Sequence, residues 1–254
     1  MADQKKVPAS PTSGDNATAN VNATTQSCQE KRVIVIDPGH GGTADEQSST
    51  WNNATSASKV LEKTLTLQYA QSLKQQLASA EVKQIFTSKN YCDVQVILTR
   101  ETDVNLSAAA RLAVATQHKA DIFLSIHFNG FDPASVRGTE TFYKATSNGY
   151  QTNEAEDKAL AEAVCAAAVA AMKVFDSKAR NRNVKADKDT EHKSLWVLRD
   201  PGVGLSGEMC RSAMIEMEFI TNPVADKNLV SGPNAAANRD AVMLSVAKAL
   251  AKAL

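Results

Sequence analysis

The sequence contains few of the residues that mark unusual environments. Only 5% of its 254 residues are aromatic, and it has four cysteines and four histidines. The 28 basic residues are balanced by 28 acidic ones, so no surplus of positive charge indicates nucleic-acid binding. The longest apolar runs are strand-sized or broken by charges, and we therefore predict no membrane span. What remains, 43% hydrophobic and 22% charged residues, is typical of a globular protein.

The N-terminal segment differs in composition from the rest. Residues 1–31 are rich in Ala, Ser, Thr, Asn and Gln and have little to bury, which predicts a disordered polar tail. Lys5 and Lys6 are not followed by the apolar segment of a signal peptide. Two alternatives stay open: export by another route, or a signal that Met1 has replaced. Residues 32–254 are predicted to form one domain.

The cysteines show no metal-binding spacing, since no CxxC pair occurs. Cys28 and Cys92 each precede a predicted strand, so both would lie at the same sheet edge if those strands are parallel neighbours. A Cys28–Cys92 disulfide and two free thiols are then equally compatible with the sequence, and the disulfide would imply an oxidising compartment. Cys165 falls in the apolar row of an Ala-rich helix and is predicted to be a core residue.

Strand-like and helix-like segments alternate after the tail, which predicts βαβ units. We expect a single α/β domain with a twisted, mostly parallel six-stranded sheet flanked by helices. The predicted strands are 33–37, 94–100, 122–127, 138–144, 195–199 and 212–220. The predicted helices are 59–78, 107–118 with Ser107 as cap, 154–175, a segment starting at Asn222-Pro223, and 235–253.

Polar side chains gather where the predicted strands end. His40 follows the first strand in VIVIDPGHGG, His127 ends the third, and Glu216 and Glu218 lie towards the end of the last. Glu62 opens the first helix, whose N-terminus faces the same edge. Ligands of open parallel sheets bind beyond the carboxyl ends of the strands. Alone, His40 has an ordinary explanation as a turn histidine and Glu62 as a helix-dipole acid. His127 and Glu216 are harder to explain in this way, because a buried imidazole or carboxylate needs a partner. Together they indicate a site.

The residue types at this edge suit metal-assisted hydrolysis. Two imidazoles and one carboxylate are a typical catalytic zinc set, which leaves one position open for water. A further carboxylate can accept the proton of that water and return it to a leaving amine. His40, Glu62 and His127 fit the first task and Glu216 the second.

These segments resemble one family in order and spacing. The motifs are VIVIDPGHGG, EKTLTLQYAQSL, VILTR, ARLAVA, ADIFLSIHFNG, GTETFYK, LWVLR and IEMEFITNP, and they resemble the zinc-dependent N-acetylmuramoyl-L-alanine amidases of the amidase-3 type. The resemblance spans about residues 32–254. It implies cleavage of the amide between muramic acid and the L-alanine of the peptidoglycan stem peptide, with one Zn²⁺ per chain.

By this resemblance His40, Glu62 and His127 are the metal ligands and Glu216 is the catalytic carboxylate. It also implies a periplasmic or secreted, cell-wall location and peptidoglycan as the partner. We expect a monomer. A zinc peptidase acting on another peptidoglycan bond and a non-catalytic wall-binding module are the alternatives.

Several residues keep more than one interpretation. Glu218 stands where the family usually has a small residue, and it either enters the site, raises the pKa of Glu216, or turns aside to pair with a basic residue. Arg111 is predicted to anchor its helix through Asp103 or Asp37. The polar loop 43–58 forms either a groove wall or a mobile lid. Residues 145–153 are too short for the blocking helix that some relatives carry, which predicts an open site.

Overall fold

A computed structural model describes residue 1 and residues 30–146, 153–191, 193–199 and 201–254. Most of the predicted tail, the Cys28 half of the proposed disulfide and most of the 145–153 loop lie outside the described residues. The tail prediction is wrong for Glu30 and Lys31, which begin the first strand. Cys92 lies at the start of a strand next to Glu30, so the two strands in question are neighbours as expected.

A six-stranded sheet forms the centre of the molecule, as predicted. Its strands are β1 (Glu30–Pro38), β2 (Tyr91–Leu98), β3 (Ile122–Asn129), β4 (Thr139–Tyr143), β5 (Asn181–Ala186) and β6 (Arg211–Phe219), in the order β2-β1-β3-β6-β4-β5. All neighbours are parallel except β4 and β6. The single α/β domain with a mostly parallel sheet is confirmed.

Helices cover both faces of this sheet. They are α1 (Glu62–Leu77), α2 (Ala80–Ser88), α3 (Ala108–His118), α4 (Glu154–Met172), α5 (Pro223–Asp226) and α6 (Ala235–Ala253). Helices α1, α4 and α6 share the large core on one face, and α3 packs on the other. Burial on both faces explains why β1 and β3 are mostly apolar in sequence. None of the helices in the described part of the chain is long and apolar enough to cross a membrane.

One predicted strand is wrong, and another takes its place. Residues 195–199 are not a strand but contain a 3₁₀ turn, Trp196–Leu198, in which Leu198 is buried and Trp196 is half exposed. The sixth strand is β5, which lies at the edge of the sheet. Edge strands are often polar, and the sequence NRNVKA has no apolar pattern that would predict a strand. Helix α2 was also not predicted.

The predicted helix caps are confirmed. Ser107 accepts a hydrogen bond from the Ala110 backbone N–H, and Asn222 accepts from Val224 and Ala225. The segment after Asn222 is shorter than a regular helix, because α5 ends after four residues and continues as a π-helical turn, Lys227–Ser231.

Candidate active site

The turn after β1 carries His40 in a conformation that few non-glycine residues adopt. His40 has a φ of 60°, in the left-handed region. Gly39 precedes it with no room for a side chain, because a Cβ there would lie 2.2 Å from Cε1 of His127. The Nδ1 atom of His40 lies 2.8 Å from the Thr50 carbonyl oxygen. That contact makes Nδ1 the protonated nitrogen and leaves Nε2 with a free lone pair.

Glu62 is fully buried at the first turn of α1 and is held by backbone groups. Its Oε2 accepts a hydrogen bond from the Ala54 N–H at 2.8 Å, and its Oε1 accepts from the Phe128 N–H at 3.0 Å. Two N–H donors on one carboxylate favour its ionised form and fix its orientation. Oε1 is therefore aimed at the two histidines.

His127, near the end of β3, completes a compact triangle of potential ligand atoms. Its Nδ1 lies 3.1 Å from Nε2 of His40 and 3.2 Å from Oε1 of Glu62, and the His40 and Glu62 atoms are 3.1 Å apart. With neutral imidazoles, three lone pairs converge on one point. Such an arrangement is unfavourable unless a proton or a cation lies between them.

This donor set fits a zinc ion. A tetrahedral Zn²⁺ with bonds of 2.0–2.1 Å separates its ligand atoms by about 3.3 Å, close to the distances found here. The backbone contacts of His40 and Glu62 supply the outer support that zinc ligands ordinarily have. These three are the one group of His, Cys, Asp and Glu side chains with metal-ligand spacing in the described residues.

The protein alone perturbs the titration of all three groups. Burial raises the pKa of Glu62, but hydrogen bonds and charges of the two histidines outweigh it and lower the pKa to about 2. Burial lowers the pKa of His40, yet Glu62 reverses this and the net pKa is raised. For His127 burial dominates and its pKa is lowered. The carboxylate is thus ionised at all moderate pH values, which favours a cation at this position.

Glu216 lies beside the triangle on β6, paired in register with His127 of β3. Its Oε2 is buried and has no hydrogen-bond partner among the described residues. Burial, followed by the negative charges of Glu62 and Glu140, raises the pKa of Glu216 well above its ordinary value. An unpartnered carboxyl group with raised proton affinity is suited to proton transfer.

Glu140 is a neighbour of Glu216 that the sequence analysis did not single out. It lies directly opposite Glu216 in the antiparallel β4–β6 pair and forms ion pairs with Arg182 and Lys185 of β5. The sequence contains a pattern that could have indicated Glu140. It is a carboxylate inside a strand-like segment, TETFY, as Glu216 is in IEMEF. The Arg182 side chain is partly exposed.

Glu218 turns away from the site, which was one of its three predicted outcomes. It accepts hydrogen bonds from the Gly138 and Phe219 N–H groups and pairs with Arg137 at 3.1 Å. The register between β3 and β6 shifts after the His127–Glu216 pair. This bulge breaks the period-two alternation that would place Glu216 and Glu218 on one face.

The buried Asp37–Arg111 ion pair holds the turn that carries His40 in place. Arg111 donates from Nη1 to Asp37 Oδ1 at 2.8 Å and from Nη2 to the His40 carbonyl at 3.0 Å. Burial raises the pKa of Asp37, but Arg111, Thr99 and Ser125 outweigh it and hold the pKa below the ordinary value. The prediction that Arg111 anchors α3 through an acidic partner is confirmed, with Asp37 as the partner.

His40, His127 and Glu216 line one cleft of about 600 Å³ at the carboxyl ends of β1, β3 and β6. Part of the 43–58 loop forms one wall, as one of its two interpretations predicted, and residues 194–197 form another. Asn129, next to the site, closes its own turn by accepting from the Gly130 N–H.

Comparison with known proteins identifies the family of this chain. The family model described as N-acetylmuramoyl-L-alanine amidase, Amidase_3, matches residues 34–252. The N-acetylmuramoyl-L-alanine amidase LytC of Bacillus subtilis is 35% identical over 132 residues, which are 52% of this chain and 22% of that protein. An uncharacterized cell wall amidase of Bacillus anthracis is 28% identical over 209 residues, 80% of this chain and 32% of that protein. The chain thus spans about a fifth to a third of the length of these relatives.

The fold is shared with solved structures. The crystal structure of N-acetylmuramoyl-L-alanine amidase from Clostridium difficile 630 superposes with a TM-score of 0.62 at 22% identity, covering 87% of this chain and 95% of that one. Since the family model covers nearly all of residues 32–254, the chain belongs to the Amidase_3 family of N-acetylmuramoyl-L-alanine amidases.

Proposed function

We propose that this protein is a zinc-dependent N-acetylmuramoyl-L-alanine amidase that releases stem peptides from peptidoglycan. The observation that carries the proposal is the meeting of three ligand atoms, from His40, Glu62 and His127, with the unpartnered carboxyl group of Glu216 in one cleft. Membership of the Amidase_3 family supports the choice of the muramoyl–alanine bond.

His40 Nε2, Glu62 Oε1 and His127 Nδ1 would hold the metal. A bound Zn²⁺ would polarise the scissile carbonyl group and acidify a water molecule. Glu216 takes a proton from the attacking water, whose oxygen bonds to the carbonyl carbon. Glu216 then delivers that proton to the alanine nitrogen as the C–N bond breaks. The lactyl group leaves as a carboxylic acid and the peptide leaves with a free amino terminus.

We also propose that the protein acts at the cell wall, in the periplasm or outside the cell, because its substrate is located there. The expected monomer stays a prediction, which light scattering of the purified protein would test.

The test is a digest of purified peptidoglycan analysed by mass spectrometry. We expect free stem peptides that begin with L-alanine, no release after chelation, and recovery when zinc is added back. Fragments cut at another peptide bond would indicate a peptidase instead, and sedimentation with the wall without release would indicate a binding module. Either result would overturn the proposal.

Glu216→Gln tests the assigned proton carrier. We expect a loss of roughly 100-fold or more in rate, with zinc content and melting temperature unchanged. Glu101→Gln is the matched control, because Glu101 is an exposed residue paired with Lys74. Wall solubilisation by Glu216→Gln at the control rate would show that Glu216 does not carry the proton.

A further inference from the structure

The wall of the cleft formed by residues 194–197 carries an aromatic side chain with no role in the chemistry above. Trp196 is one of two tryptophans in the sequence, and 53% of its surface is exposed although it lines the cleft that contains His40 and Glu216. Aromatic side chains that line a cleft beside polar groups are common ligand contacts, so the position of Trp196 in this cleft indicates a ligand contact.

The indole is held in place from one side. The guanidinium carbon of Arg199 lies 3.5 Å from the centre of the Trp196 ring, and Arg199 donates from Nε and Nη2 to the Ser194 hydroxyl at 3.1 and 3.0 Å. This stacking orients the ring, and Arg199 covers one of its two faces. The exposed part of the ring is therefore presented as a fixed platform.

The wall of the cleft formed by the 43–58 loop is polar and acidic. Asp45, Glu46, Ser48 and Asn53 line it and are exposed. Such side chains can hydrogen-bond hydroxyl and acetamido groups, but the two carboxylates would repel an acidic peptide. A pyranose ring has an apolar face of C–H groups and a rim of hydroxyl groups, which matches an aromatic platform facing polar side chains.

Positive charge lies on the other side of the catalytic carboxylate. Arg182 and Lys185 of β5 are partly exposed, and they lie two strands outward from Glu216, beyond Glu140. Two cations around one carboxylate leave a net positive charge there. An acidic peptide leaving the scissile bond is attracted to this side rather than to the acidic 43–58 loop, which follows β1 on the other side of β6.

We propose that Trp196, backed by Arg199, binds a sugar ring of the glycan strand, so that the glycan lies along the acidic cleft and the stem peptide points towards β5. This inference rests on the proposed function for the identity of the polymer. It adds a saccharide-binding site and a direction for the substrate across Glu216.

The test uses glycan strands from which the peptides have been removed, so no bond is left to cleave and the wild-type protein can be used. We expect these strands to change the fluorescence of a Trp51→Phe variant, in which Trp196 is the sole tryptophan. We expect Trp196→Ala to weaken glycan binding at least 10-fold by calorimetry, and Trp196→Phe to weaken it less.

Phe131→Ala is the matched control, because Phe131 is 54% exposed and does not line the cleft. It should leave glycan affinity within two-fold of wild type. Equal glycan affinity of Trp196→Ala and Phe131→Ala would overturn the proposal, as would a Trp196 signal with free stem peptides but not with glycan. Glycan binding that depends on Trp196 without peptide release from intact wall would instead refute the proposed function alone.

Discussion

Glu140 and Glu216 lie directly opposite each other on β4 and β6, yet Glu140 pairs with two cations while Glu216 Oε2 has no partner. The ion pairs keep a negative charge next to the proposed proton carrier. That charge is one of the causes that raise the pKa of Glu216.

Glu140→Gln should shift the pH dependence of the reaction. The variant removes a negative neighbour and leaves Arg182 and Lys185 nearby, so the pKa of Glu216 falls. Because Glu216 has to be ionised to accept a proton, the acidic limb of the kcat/KM profile should move to lower pH. A Glu81→Gln variant, which removes a surface carboxylate, should leave the limb in place. An unmoved limb in Glu140→Gln, or one moved to higher pH, would contradict this relationship.

Glu218→Gln should affect stability rather than chemistry. Glu218 is buried and accepts from two backbone N–H groups and from Arg137. An amide keeps only part of this set, so we expect a loss of about 1–3 kcal/mol in the free energy of unfolding. Activity per folded, zinc-loaded molecule should stay within about two-fold. A large loss of rate with unchanged stability would contradict this prediction and would show that Glu218 takes part in the reaction.

Arg111→Met should be among the most destabilising substitutions near the site. It leaves Asp37 buried without its counter-charge and removes the donor to the His40 carbonyl. Breaking a buried ion pair from one side costs about 3–5 kcal/mol, measurable by urea unfolding of the zinc-free protein. Arg32→Met, which breaks the more exposed pair with Glu30, should cost about 1 kcal/mol or less. Similar costs for the two variants would show that the Asp37–Arg111 pair does not support the turn.

Asp157 should make stability depend on pH. Burial raises its pKa to about 7, above the ordinary 3.8 of an aspartate, although the backbone and hydroxyl of Ser212 oppose the shift. The folded state therefore binds this proton more tightly than the unfolded state. The stabilisation is complete below about pH 4 and is lost as the pH rises through 7.

Asp157→Asn removes that loss. The free energy of unfolding of the variant relative to wild type should rise by at most about 1.4 kcal/mol per pH unit between pH 4 and 7 and then level off. Chemical denaturation at several pH values would measure it. Glu162→Gln, an exposed change on the same helix, should give a flat difference. A difference that falls as the pH rises would have the wrong sign for a raised pKa.

The parts of the fold that the sequence predicted well are those with strong periodicity. The apolar run of β1, the mostly apolar sequence of β3 and the four-residue spacing of α1 all result from burial. β5 could not be recognised, because NRNVKA is a polar edge strand and carries no alternation. The apolar run LWVLR was misread, since Leu198 is buried by packing on Phe142 and Met214 without strand pairing.

The candidate site was predictable to a similar degree. His40, Glu62, His127 and Glu216 were found because polar residues at strand ends are visible in the sequence. The partners that tune them were not, because Thr50, Glu140 and the backbone donors of Ala54 and Phe128 depend on the folded chain. The direction of the Glu218 side chain depends on a β-bulge, and no local sequence pattern predicts that bulge.

The reversed direction of β4 has a consequence for how loops can reach the site. β4 runs antiparallel to β6. Its first residue, Thr139, therefore lies near the sheet edge at which β1, β3 and β6 end, and its last residue, Tyr143, lies nearer the opposite edge. Five residues of strand span about 17 Å. An insertion between Asn129 and Gly138 would therefore grow directly over His40, Glu62 and His127, whereas one placed after Tyr143 has to return along the whole strand first. An insertion in the connection between β3 and β4 could therefore cover this cleft with fewer added residues than an insertion after β4.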